Sequence, residues 1–470
     1  MFITYQIPKR RKLGMLNFYY DRVIDGVYIP NGIPENFVKY YSPNFNDVSF
    51  RNEVGVEPAV YPTDMRMAEY CSLKSVDTIK GDVDTFSGYY LIEGFGSAQN
   101  AMGVNPETKD RYESVFNYIE EKSLKFLQNG VLKLCICYLQ ESFITDNIIH
   151  SIHDNTERLN IQNSIVIVND FLVEKRYNDW CKENGYEPRF KVIVFCHSLY
   201  EKSNEIYGLH NNHQIYTMAD DYTEYKGSAM SLDEFKDSKS TLRKNTILSM
   251  NRRQREHRLA TLCVLSKYNL LKGNGVSYQL TFDGPTTPYY VKSLITDNEK
   301  YRDYFIHYKK LKKMKYQWVD YPIAMEAKDG VTHGYGWENK QPYLDSYLNI
   351  TTETDFVNPT GYASEKVWKP FGFFQPVLLV GSPNTLEFVK SFGFKTFDGF
   401  IDESYDKETS IAKRFELIEK EIIKFSKMSK QEVHDWYWSM EDILIHNFNL
   451  FMEYGKNRQQ NYKNLFEELK

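Results

Sequence analysis

The stretch from residue 347 to 381, YLNITTETDFVNPTGYASEKVWKPFGFFQPVLLVG, decides how the chain is read. It spells strand, acidic turn, helix, strand. Residues 347–352 are a short β-prone run, followed by Glu353 and Asp355 and then a polar Pro/Gly loop. Ser364 has the chemistry of a helix N-cap, with Glu365 and Lys366 in the first turn. Residues 377–380 form a second apolar β-prone run, closed by Gly381. In an open α/β sheet, ligands sit outside the carboxyl ends of the strands. Glu353 falls at such an end, and Glu365 and Lys366 open the helix that faces the same crevice. A carboxylate can accept hydrogen bonds from both ribose hydroxyls, and a lysine with free backbone N–H groups can hold a diphosphate. The plain alternative is a βαβ edge carrying a solvated Glu–Lys pair.

These residues carry a family resemblance. An acidic residue after a strand, a Tyr-x-(Ser/Thr)-Glu-Lys-x-Trp helix start (Tyr362 to Trp368) and an apolar strand headed by Pro-Val resemble the donor-binding segment of α1,3-fucosyltransferases. The match to exostosin-like glycosyltransferases is looser. The resemblance implies an α/β fold of the GT-B class: two Rossmann-like domains facing each other, with the active site between them. It also implies donor contacts for Glu353, Tyr362, Ser364, Glu365 and Lys366. Departures are Lys369-Pro370 after Trp368 and the aromatic run Phe371, Phe373, Phe374.

At 470 residues the chain exceeds one ordinary core, so two or three domains are expected. A net charge of −5 argues against a dedicated nucleic-acid binder without excluding a local basic patch. The six cysteines show no zinc spacing and read as buried thiols of a reducing, cytoplasmic protein. Neither a signal peptide nor a long apolar run is evident, so no membrane partner is expected. That departs from the membrane-anchored eukaryotic fucosyltransferases.

Residues 1–87, with the basic run Lys9 to Lys12, read as an irregular N-terminal part of an acceptor domain. Residues 88–215 read as its Rossmann-like body. Strands are expected near 89–92, 131–139, 164–168 and 191–196, with helices within 110–128, 145–158 and 172–183 between them. That alternation implies a parallel sheet. Glu93, Glu141, Asp170 and His197 each fall where a strand ends. Residues 216–244 are read as a linker. Residues 245–430 form the donor domain: a strand at 246–250, the arginine-rich Asn251 to Arg258, a helix to about Tyr268 and a strand at 276–282. An insertion at 286–340 holds the run Lys309 to Lys315 among Tyr308, Tyr316 and Trp318. Residues 385–400 suggest one more helix and strand. From about 408 the chain reads as helical, and the resemblance implies that residues 431–470 pack back on the first domain.

Arginines clustered at a helix N-terminus form an anion site through charge and dipole together. Fucosyltransferase-like donor domains open the same way, which implies donor contacts for Asn251 and for Arg252 or Arg255. Sugar transfer also needs a base for the acceptor hydroxyl. Strand–Gln–Glu–Ser at Glu141 resembles the fucosyltransferase strand–Glu–Ser–Pro element. Asp170, Glu93 and His197 compete with it. The resulting expectation is an inverting, metal-independent transferase that uses a UDP- or GDP-sugar and a hydroxyl acceptor on a glycan or small molecule. Two alternatives stay open: a phage-type enzyme that glycosylates hydroxylated DNA bases through the basic insertion, and a non-catalytic nucleotide- or nucleic-acid-binding protein.

Overall fold

The computed structural model describes residues 16–24, 27–29, 31–33, 71–80, 85–93, 114–138, 144–210, 230–251, 255–278 and 340–469. Contacts divide them into two compact units. One draws on Met1–Asn169, Val173–Phe195 and Gln459–Lys470, and the other on Asp170–Leu172 and Cys196–Arg458. Both are α/β, and each is built on its own parallel sheet.

The sheet of the first unit contains β1 (Leu16–Tyr20), β4 (Cys71–Ser75), β5 (Gly88–Glu93), β6 (Leu132–Tyr138), β7 (Ser164–Val168) and β8 (Phe190–Val194). A small antiparallel hairpin, β2 (Arg22–Ile24) and β3 (Val27–Ile29), follows β1. The sheet order is β4-β1-β5-β6-β7-β8, with every pairing parallel. A parallel sheet covered on both faces demands continuous apolar strands, and β7, SIVIV, is buried at every position. In β8, Lys191 and Val194 are exposed, as suits the sheet edge. Helices α1 (Glu121–Gln128), α2 (Asp146–Arg158) and α3 (Val173–Asn184) alternate with these strands. Ile148, Ile149, Ile152 and Thr156 form the buried stripe of α2. The tight link from α2 to β7 uses Asn160 and Asn163 at positive φ, which asparagine tolerates better than most residues.

Several sequence expectations change here. Residues 1–87 are more than an irregular cap, because β1 is an interior strand and β4 an edge strand of the main sheet. The helix expected within 110–128 is broken. A 3₁₀ turn, Val115–Tyr118, precedes α1, and the extended Ile119 and Glu120 separate the two.

The second unit begins with α4 (His197–His210) and α5 (Leu232–Asp237). Its sheet, ordered β10-β9-β11-β12, comprises β9 (Asn245–Asn251), β10 (Gly275–Tyr278), β11 (Ser346–Thr352) and β12 (Val377–Val380), all parallel. Helices α6 (Glu256–Lys267), α7 (Gln341–Leu344), α8 (Glu365–Trp368), α9 (Thr385–Ser391), α10 (Ile411–Lys427), α11 (Lys430–Trp438) and α12 (Glu441–Lys456) complete it. The strand expected within 385–400 is replaced by a single bridge, Asp398–Ile401.

Domain limits shift for a packing reason. Residues 196–210 were expected in the first domain, yet Cys196, Leu199 and Ile206 join the core of the second unit with Trp368, Phe371 and Phe451. Of the C-terminal residues 431–470, α11 and α12 belong to the second unit. Only Gln459–Lys470 sits with the first. There the terminal helix, Arg458–Leu469, sets Phe466 against Phe18 and Tyr462 against Phe195, and Tyr89 Oη donates to the Leu469 carbonyl. None of the six cysteines forms a disulfide, and all are buried. Among the described residues no helix is long and apolar enough to cross a membrane.

The close approach of α4 and α12 depends on Gly455. A Cβ there would lie 2.3 Å from the Ser203 carbonyl oxygen, a backbone atom that cannot swing aside. Gly455→Ala is expected to destabilise the second unit by about 3 kcal/mol, as overpacking does. Chemical denaturation checks this, and an unchanged midpoint would show that the helices are not in that contact.

Candidate functional site

In the second unit the chain runs from β9 to β10 on one side and then to β11 on the other. The topological switch point therefore lies between β9 and β11, the place where open α/β sheets bind ligands. Asn251 ends β9 and Thr352 ends β11. The Thr352 hydroxyl donates to Asn251 Oδ1, and Asn251 Nδ2 donates to Ser249 Oγ at 3.1 Å. Asn251 is thus buried and bonded within the unit. Two residues of α6 close over the tip of β11: His257 Nε2 lies 2.7 Å from the Glu353 carbonyl oxygen, and Arg258 Nη2 donates to the same oxygen at 3.0 Å. Burial, with the Arg258 charge beside it, pushes His257 down to about 3. The imidazole is therefore neutral near pH 7, and its Nε2–H is the donor to that carbonyl.

The Glu353 side chain turns inward. It is buried, its Oε2 accepts from the Thr354 N–H at 2.8 Å, and its Oε1 accepts from the Ser364 N–H at 2.8 Å and the Ser364 hydroxyl at 3.0 Å. Burial raises its pKa, against the lowering effect of Lys366. Ser364 Oγ in turn accepts from the Lys366 N–H at 3.3 Å, the N-cap bond of α8. Asp355 organises the next turn, accepting from the Phe356 and Val357 N–H groups at 2.8 and 3.1 Å. Buried Arg414 binds the Phe356 carbonyl and lies over the Phe356 ring.

What this frame presents outward is the pair Glu365 and Lys366. Their side chains are 21% and 29% exposed, and Lys366 Nζ donates to Glu365 Oε1 at 2.6 Å. Burial would raise the Glu365 carboxyl, but Lys366, then Lys202 and Lys369, hold it below the usual range. The helix itself adds little. α8 is a single turn that passes into a 3₁₀ turn at Lys369–Phe373, so its dipole is short and the lysines supply the field.

The structure thus brings Asn251, Glu353, Tyr362, Ser364, Glu365 and Lys366 into one unit but gives them different tasks. Tyr362 is buried and bridges to Asp170. Glu353, expected to face a ribose, has both oxygens committed to the protein, because a carboxylate at this depth needs donors. Arg255 is exposed at the N-cap position of α6, and its charge reaches His257. Arg252 lies outside the described residues, as do Glu141 and the run Lys309 to Lys315. Glu93 closes β5, paired with Cys137. Asp170 and His197 were expected at strand tips of the first domain, but contacts place both in the second unit. Asp170 is fully buried, and its Oδ1 accepts from the Leu172 and Gly361 N–H groups, each at 3.0 Å, which is a turn-forming role.

Sequence reasoning assigned no part here to Lys202 and Lys369, whose charges act on Glu365, nor to Asp21. Asp21 follows β1, which borders the switch point of the first sheet, and it accepts from the Tyr90 and Ser123 hydroxyls. The run LNFYYD carried that signal as a β-prone stretch with an acid at its end. Comparison of the chain with protein-family models, curated proteins and solved structures gives no match.

Ser364 links the buried carboxylate to the half-buried pair Glu365 and Lys366. Ser364→Ala removes one donor to Glu353 and the cap of α8, and is expected to cost about 2 kcal/mol. Urea denaturation of the variant measures it. A loss within error of zero would mean that Glu353 does not depend on this hydroxyl.

Proposed function

We propose that the protein is a nucleotide-sugar-dependent glycosyltransferase of the GT-B class whose second unit binds the donor. The observation that carries this reading is the Glu365–Lys366 pair, held outward by the buried Glu353–Ser364 bonds just beyond the carboxyl end of a parallel strand. The likeness of Tyr362 to Trp368 to the fucosyltransferase donor segment supports it. Lys366 meets the diphosphate. With the Glu353 carboxylate already bonded to the protein, Glu365 is the acid left to receive ribose hydroxyls.

In the reaction, the acceptor oxygen bonds to the anomeric carbon. The bond from that carbon to the β-phosphoryl oxygen breaks, and its electron pair leaves on the nucleoside diphosphate. The acceptor proton passes to a carboxylate base, with Glu141 as the first choice and Glu93 as its competitor. Lysine charge beside the departing oxygen lowers the barrier because negative charge grows there in the transition state.

The test is calorimetric titration of the whole chain with UDP and GDP, followed by transfer assays with UDP- and GDP-sugars. Plain glycans and hydroxymethylated DNA serve as the two acceptor arms. Lys366→Ala is expected to weaken nucleoside diphosphate binding by about 2 kcal/mol, the worth of a charge-assisted contact. Unchanged affinity would remove Lys366 from the site. Glu141→Gln is expected to abolish transfer while donor affinity stays intact. Surviving turnover would place the base elsewhere. Nucleotide binding without transfer or hydrolysis of any donor would favour a non-catalytic protein.

A further inference from the structure

We infer that the phenol of Tyr177 and the imidazole of His153 form an acid-labile latch, which fastens the turn between α3 and β8 to α2 and releases it when His153 takes up a proton. All the groups involved lie in the first unit, so the inference stands apart from the donor-site reading.

The turn, residues 185–189, leads into the edge strand of the sheet. The Arg189 N–H donates to Tyr177 Oη at 2.7 Å, and Tyr177 Oη lies 2.9 Å from His153 Nδ1. Both side chains are buried, each 1% exposed. With Arg189 donating to its oxygen, the phenol sends its own hydrogen elsewhere. Two acceptors are in reach, His153 Nδ1 and the Cys181 sulfur. Burial raises Tyr177 and Cys181, so both keep their protons. A thiol is a poorer acceptor than a bare imidazole nitrogen. The phenol therefore donates to His153, which is the neutral Nε2–H tautomer.

Protonated, Nδ1 becomes a donor. The phenol hydrogen is turned toward the poor Cys181 acceptor, and the phenol oxygen faces two N–H groups. The imidazolium makes the stronger, charge-assisted bond, so the neutral Arg189 N–H is the one displaced. Tyr177 also stacks on Phe190, the first residue of β8, with ring centroids 3.8 Å apart, which keeps the strand in place while the turn opens. The rings of Trp180 and Tyr186 stand 5.0 and 5.2 Å from His153 and shut water out. Burial accordingly holds His153 below its ordinary value of 6.5. Glu157 and Asp154 of α2 oppose that shift, while Arg189 of the turn and His150 of α2 add to it. Glu157 is itself paired with Arg189 at 2.9 Å, and Glu187 of the turn acts on Cys181. The folded form thus holds the proton less well than the opened form. The latch is at full strength above about pH 6.5 and weakens as pH falls toward the lower, folded value.

The experiment follows amide hydrogen exchange of the full chain by mass spectrometry from about pH 8 to about pH 5, each rate divided by the intrinsic rate at that pH. In the unaltered chain, opening of residues 186–190 is expected to grow below about pH 6.5, by up to about tenfold per pH unit, while β6 and β7 keep their protection. His153→Asn sets a carbonyl oxygen near the Nδ1 position and does not titrate, so the slope should vanish. An equal slope in His153→Asn would assign it to Glu157, Asp154 or His150 and overturn the inference. So would an unaltered chain without a slope, or one in which β6 and β7 open in step with the turn. Should His153→Asn fail to fold, Tyr177→Phe decides. It keeps the ring on Phe190 and removes the acceptor, so the Arg189 amide is expected to exchange quickly at every pH. The acid slope of the unaltered chain, retained in Tyr177→Phe, would rule out the latch.

Discussion

The second unit is arranged around one buried carboxylate. Glu353 stands at the end of a strand with no water to solvate it, so its oxygens must be met by protein donors. Ser364, eleven positions further on, supplies two of them, and that closure sets where the next helix begins. The carbonyl of Glu353 is gripped by His257 and Arg258, so one amino acid ties α6, β11 and α8 together. The acid beside Ser364, Glu365, is held, against burial, below the usual carboxylate range by its cationic neighbours, Lys366 first.

Charge rather than helix geometry makes the exposed part of this site. A single helical turn offers few aligned peptide dipoles. Ser198 and Gly455 let α4 lie close to its neighbours. The position of α4 therefore serves both the core, through Leu199 and Ile206, and the field around Glu365, through Lys202.

Much of the architecture was open to a reader of residues alone. The runs LKLCICY, SIVIV and VLLV are apolar at nearly every position, as strands buried on both faces must be, and each forms such a strand. Ser364 is a cap because the hydroxyl needs only its local backbone to act. β1 and β4 escaped notice for the opposite reason. Tyr and Asn in LNFYY and Lys and Ser in CSLKS lower the apolar signal. These segments are strands because neighbours far along the chain complete their hydrogen bonds.

The sequence by itself determined the alternation of strand and helix, the cap at Ser364 and an acid and a lysine in the first turn of α8. These follow from local periodicity and from backbone needs within a few residues. Only the tertiary structure decided which acid faces inward and which unit receives Asp170 and α4. Burial and long-range charge depend on what packs against a side chain, and residues more than 160 positions apart, such as Ser198 and Ala363, meet only once the sheet is built.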